Sequence, residues 1–86
     1  MSRTAKVLAR LRRKPLPSDF RWDELVRLLQ GLGMELTCGT GSRRHFEGSI
    51  NGVLRRFNCH EPHPHGIVKQ YVLRELAEKL DRWGVK

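Results

Sequence analysis

Asn51-Gly52 is the pair of residues that most restricts what this chain can fold into. A tight hairpin turn needs a positive φ at both central positions, and asparagine and glycine are the residues that tolerate one. The stretch Gly48-Ser49-Ile50-Asn51-Gly52 is therefore expected to turn the chain, with one strand over 43–47 and another over 53–59. Met34 to Cys38 reads as a further short strand, joined to 43–47 by the loop Gly39-Thr40-Gly41-Ser42. On either side of this block the apolar spacing changes from that of a strand to that of a helix. Trp22, Leu25, Val26, Leu29 and Leu32 form one stripe, and Val68, Val72, Leu73, Leu76, Leu80 and Trp83 form another. Asp23 and Glu24 complement the start of the first helix, Gly31 and Gly33 suit its left-handed end, and Gly84 closes the second. Between the third strand and the last helix, His60-Glu61-Pro62-His63-Pro64-His65-Gly66 reads as a loop, because its prolines remove ladder donors. The order α-β-β-β-α predicts an α+β domain, a three-stranded antiparallel sheet with both helices on one face and the other face open.

With 86 residues the chain has room for one small domain. Its 17 Lys and Arg against nine acids give a net charge of +8, which points to a polyanionic partner, most often nucleic acid. Six of those cations, Arg3, Lys6, Arg10, Arg12, Arg13 and Lys14, precede any acid. Residues 1–17, ending in Pro15-Leu16-Pro17, are expected to be a basic N-terminal arm, and 18–86 the folded domain. A disordered tail, an electrostatic nucleic-acid arm and an organelle transit peptide all fit that arm. No apolar run approaches the roughly 18 residues of a membrane span, and no continuous apolar stretch marks a secretory signal, so a cytoplasmic protein without a membrane partner is expected. Cys38 and Cys59 lack metal or redox spacing and read as free thiols on strands.

Three features coincide: the αβββα order, a Gly-Ser turn leading into a basic, histidine-containing strand, and a Pro-His-Pro-His loop before the last helix. Together they resemble the HicA family of toxins. The resemblance covers about residues 18 to 83. Asp23-Glu24-Leu25 with Leu28-Leu29 is similar to the first family helix, and Gly33 to its end. Gly41-Ser42 with Phe46 is similar to the family's Gly-Ser-His-x-x-aromatic strand, and Pro62-His63-Pro64-His65 with Leu73-Arg74 to its loop and last helix. The resemblance implies a fold like the double-stranded RNA-binding domain and a toxin of a toxin–antitoxin pair. Such a toxin is an mRNA interferase that binds and cleaves mRNA to stop translation and is neutralised by a HicB-like antitoxin. It implies no metal and no small-molecule cofactor.

One position departs from the pattern. Directly after Gly-Ser, where the family carries its catalytic histidine, this sequence has Arg43. Side chains alternate along a strand, so Arg43 and His45 share one face while Arg44 and Phe46 share the other. With Phe46 under the helices, His45 lies on the open face one two-residue step from the family position. Metal-independent RNA cleavage needs a base for the 2′-hydroxyl, a cation for the charge on phosphorus-bound oxygens and an acid for the leaving oxygen. Imidazole suits both proton roles, since its ordinary pKa is about 6.5. The catalytic candidates are therefore His45 as base or acid and Arg43 as phosphate ligand, with His63 or His65 as a second proton carrier. Ser42, Arg44, Arg55, Arg56, His63, His65 and Lys69 are the candidates for holding the RNA backbone. Two other readings stay open because Arg43 replaces the histidine: an RNA-binding module without catalysis, and a domain whose surface serves a protein partner. Phe20, Trp22 and Trp83 read as packing residues, and the Cys59-to-His65 cluster lacks the second ligand pair that zinc would need.

Overall fold

The hairpin forms where the Asn-Gly pair sits. In the computed structural model, which describes residues 3–62 and 66–85, Asn51 has φ 52° and Gly52 has φ 82°, both positive as a type I′ turn requires. The turn is shorter than the five residues read from the sequence, because a two-residue loop leaves nothing unpaired. Ile50 faces Val53, Ser49 faces Leu54 and Gly48 faces Arg55. The elements are α1 (Arg3–Leu11), α2 (Trp22–Gly31), β1 (Glu35–Cys38), β2 (Arg43–Ile50), β3 (Val53–His60) and α3 (Gln70–Arg82). The three strands form one antiparallel sheet in the order β1-β2-β3. The α-β-β-β-α core is as expected, with one additional helix in front of it.

Phe46 and Phe57 face each other across β2 and β3, their ring centroids 6.5 Å apart. Trp22 at the start of α2 tilts over Phe46 at 5.8 Å. Leu25, Leu28 and Leu29 of α2 and Val72, Leu73, Leu76 and Leu80 of α3 complete the core on this side of the sheet. Each such buried side chain contributes about 1.5–3 kcal/mol relative to exposure. The chain can approach the sheet closely here because residue 48 is glycine. A Cβ at Gly48 would stand 2.7 Å from the Cα of Met34, which follows Gly33, where φ is 98° and the chain leaves α2 behind.

Residues 1–17 are not a free arm where they are described. Val7, Leu8 and Leu11 lie on one face of α1, and Leu8 and Leu11 are buried in the core. Gly31 in α2 provides room for Thr4, since a Cβ there would collide with the Thr4 hydroxyl. The Arg10 guanidinium lies 5.3 Å from the Phe20 ring, pairs with Asp19 at 2.9 Å and also pairs with Glu24. Beyond the Pro-Leu-Pro break, Gln70 Nε2 donates to the Leu16 carbonyl at 2.8 Å. The basic composition of the segment pointed to solvent, but its apolar stripe finds an uncovered edge of α2 and docks there.

Two backbone bonds join the approach to α2 with the approach to α3. Trp22 N–H donates to Gly66 O and Val68 N–H to Phe20 O, each at 2.7 Å. No helix among the described residues is long and apolar enough to cross a membrane. Leu11→Ala should lower the unfolding free energy by about 2–5 kcal/mol in urea denaturation. An unchanged midpoint would mean that the N-terminal segment is an arm after all.

Candidate nucleic-acid interface

The parity that sends Phe46 and Phe57 to the helices sends their neighbours outward. Arg43, His45 and Glu47 of β2 and Leu54, Arg56, Asn58 and His60 of β3 share the face that no helix covers. His45 is opposite Asn58, and Arg43 is opposite His60. His45 and His60 are thus diagonal neighbours, a separation of about 7 Å. Arg43 stands beside both, exposed, and its guanidinium has no hydrogen bond or ion pair among the described residues.

Each imidazole is oriented by a polar neighbour. His45 Nδ1 is 2.7 Å from Asn58 Oδ1. A carboxamide oxygen only accepts, so Nδ1 carries the proton and Nε2 of the neutral ring has a free lone pair. Gly39 leaves that nitrogen open: a Cβ at residue 39 would stand 3.1 Å from His45 Nε2 and 3.2 Å from Arg43 Cβ. His60 Nδ1 is 3.1 Å from Ser42 Oγ. When the serine hydroxyl donates, the proton of the neutral His60 ring resides on Nε2.

The four strand arginines, read from the sequence as one basic patch, divide between the two faces. Arg44 points to the helix side, where its side chain is mostly buried and Nε donates to Glu61 Oε1 at 3.0 Å. Its Nη1 donates to the carbonyls of Gly41 at 2.9 Å and Arg43 at 2.8 Å, so it braces the loop that carries Ser42. Arg55 is also on the helix side, its guanidinium 5.9 Å from the Trp83 ring and its buried Nε without a hydrogen-bond partner among the described residues. Arg56 is on the open face but is paired with Glu47, Nε to Oε2 at 2.9 Å. Arg43 is the one of the four whose guanidinium is both outward and unpaired. Lys69 is exposed just before α3, and Ser42 is at the end of the sheet beside His60. His63 and His65 lie outside the described residues.

His60 and Asn58 were not among the sequence candidates. Prolines at 62 and 64 drew the boundary of β3 at Cys59, one residue short, and left His60 in the loop. Glu61 N–H donates to Ser42 O at 2.7 Å, which holds the chain against β2 past that boundary. The signal that finds both residues is the register of a two-residue turn at Asn51-Gly52, counted back from the turn on each strand.

One cleft adjoins this arrangement and another lies apart from it. The first, of about 310 Å³, lies at the end of the sheet, and Ser42, His60, Lys69 and Tyr71 are among the residues that line it. A larger one of about 680 Å³ lies between Arg12–Leu16 and α3 and holds none of the open-face residues. Among the described residues, no group of three His, Cys, Asp or Glu side chains is placed to hold a metal ion. No protein-family model, curated protein or solved structure matches the chain.

The two cysteines differ in environment. Cys38 is exposed, and Cys59 is half-buried on the helix side opposite Arg44. Burial pushes the Cys59 thiol up from 9.0 to about 11, the Glu75 carboxylate acts the same way, and the Arg44 guanidinium opposes them. The folded protein therefore keeps the Cys59 proton at a pH where the unfolded chain loses it. This contribution to stability is complete below about pH 9 and is lost as pH rises toward 11. At pH 8, a thiol reagent should label Cys38 at least tenfold faster than Cys59, because the thiolate is the reactive form. Equal rates in the native protein would contradict this account of Cys59.

Proposed function

We propose that the protein is a HicA-like toxin of a toxin–antitoxin pair, acting in the cytoplasm. In this reading it binds mRNA on the open face of its sheet, cleaves it without a metal, and is held in check by a HicB-like antitoxin. The observation that carries this reading is the placement of His45 and His60 around Arg43 on one uncovered face. The family's histidine position holds Arg43, and the two imidazoles on neighbouring strand positions supply what that replacement removes.

The reaction uses each group once. A phosphodiester is held by the Arg43 fork, which presents two parallel donors to phosphate oxygens and opposes the charge that grows on them. His45 Nε2 takes the proton of the 2′-hydroxyl. The 2′-oxygen forms a bond to phosphorus, the bond from phosphorus to the 5′-oxygen breaks, and His60, as the imidazolium whose Nδ1–H donates to Ser42 Oγ, gives its Nε2 proton to that leaving oxygen and becomes the neutral ring. The products are a 2′,3′-cyclic phosphate and a 5′-hydroxyl. Positioned proton transfer of this kind contributes about 10²–10⁴-fold in rate for each group. Asn58 and Ser42 hold the rings, so they are positioning residues.

The second reading, an RNA-binding module without chemistry, is favoured by Arg43 at the family's histidine position, since a guanidinium binds phosphate and cannot act as a base. One experiment separates the two. Induced expression of the wild type should stop growth and fragment mRNA. His45→Ala and His60→Ala should each abolish both effects while their purified proteins melt as the wild type does. Gly39→Ala should reduce cleavage by tenfold or more, because a methyl group would press on His45 Nε2. Salt-dependent RNA binding without cleavage by the wild type would establish the second reading, and full toxicity of His45→Ala would overturn the first.

A further inference from the structure

Tyr71 is an exposed aromatic that the core does not use. It is 58% exposed, whereas Phe20, Phe46, Phe57 and Trp83 are buried and Trp22 packs on Phe46. The buried stripe of α3 runs through Val72, Leu73, Leu76 and Leu80, and residue 71 falls outside it. Its hydroxyl has no hydrogen-bond partner among the described residues. Tyr71 instead lines the cleft of about 310 Å³ that Ser42 and His60 also line.

We propose that this cleft is the base-binding subsite for the nucleotide adjoining the scissile phosphate, with Tyr71 as the stacking surface. The inference rests on the RNA-cleaving reading and names where the substrate lies in it. With the phosphate on Arg43 and the leaving 5′-oxygen at His60, the nucleotide that carries that oxygen continues past His60 into the cleft. A ring stacked on a base gives affinity for any base, since each presents a π face. Lys69, which also lines the cleft, provides a cation for the next phosphate. Glu61 also lines the cleft, and its carboxylate is occupied by Arg44 at 3.0 Å, which lowers its repulsion of a polyanion.

Stacking on a side chain requires an unstacked base, so the subsite takes single-stranded RNA and gives nothing to a duplex, whose bases are covered. The test uses a fluorescent single-stranded RNA octamer with 2′-O-methyl groups, which has no hydroxyl to attack phosphorus, and a duplex of matched charge. Anisotropy titrations of the full chain at fixed salt compare wild type with variants. Tyr71→Ala should weaken single-strand binding by about 5- to 150-fold and leave duplex binding unchanged. Tyr71→Phe and Tyr71→Trp should retain wild-type affinity, which also shows that the position tolerates change. Arg43→Ala should weaken both ligands. If Tyr71→Ala binds the single strand as the wild type does while Arg43→Ala does not, the subsite is overturned and the RNA reading stands. If Tyr71→Phe loses as much as Tyr71→Ala, stacking is overturned. If the wild type binds neither ligand, the RNA reading and the subsite fall together.

Discussion

Phe46 and Phe57 meet across the two long strands, and α2 and α3 cover them from the same side. A strand has a side-chain period of two, so burying these rings decides where every neighbour on β2 and β3 points. A slip of one residue would put His45 and His60 under the helices and both phenylalanines in water. The Asn51-Gly52 turn prevents that slip, because its two residues at positive φ leave Ile50 opposite Val53 with nothing between. The open face is thus a consequence of the core. Its polar residues are set by the same pairing that stabilises the domain.

The net charge of +8 gives a coarse account of how the molecule meets an anion. Part of the basic sequence is engaged internally: Arg10 with Asp19 and Glu24, Arg12 with the Val85 carbonyl, Arg44 with Glu61, Arg56 with Glu47. The pairs with carboxylates remove charge from the outward field, and the exposed ones among them add about 0–1 kcal/mol each. On the sheet this leaves Arg43, flanked by two imidazoles. The RNA reading therefore depends on the placement of one guanidinium and two rings more than on bulk charge.

The sequence made the fold class legible because each element carried its own period. Alternation marked β2 and β3, and the stripes of Leu25 with Leu29 and of Leu73 with Leu76 marked the helices. The same alternation placed His45 and Arg43 outward. Two matters were not legible for physical reasons. The first is α1: its charge matched that of a tail, and the burial of Leu8 and Leu11 depends on an edge of α2 that only tertiary packing creates. The second is His60, hidden by prolines two and four residues later, although β3 keeps pairing until the residue before Glu61. Parity separated Arg44 from Arg43, yet Arg44 and Arg55 were grouped with Arg43 and Arg56 as one basic patch, and the structure turns both to the helix side. Their partners, Glu61 and Trp83, lie too far along the chain for spacing to reveal.

A site built where β2 begins and β3 ends takes its rigidity from the sheet and its adjustment from the adjoining loop. Arg44 lies on the helix side, out of reach of any ligand on the open face, yet it holds three points of the surrounding chain: the carbonyls of Gly41 and Arg43 and the carboxylate of Glu61. Those contacts tie the start of β2 to the exit of β3, where Ser42 faces His60 across 3.1 Å. Gly39, at the other end of the same loop, turns without a side chain and keeps the space beside His45 Nε2 clear. Arg44 and Gly39 therefore decide the posture of the two imidazoles without taking part in any chemistry. A replacement at either would act on the site through geometry, since preorganised groups lose most of their effect when displaced by about 1 Å.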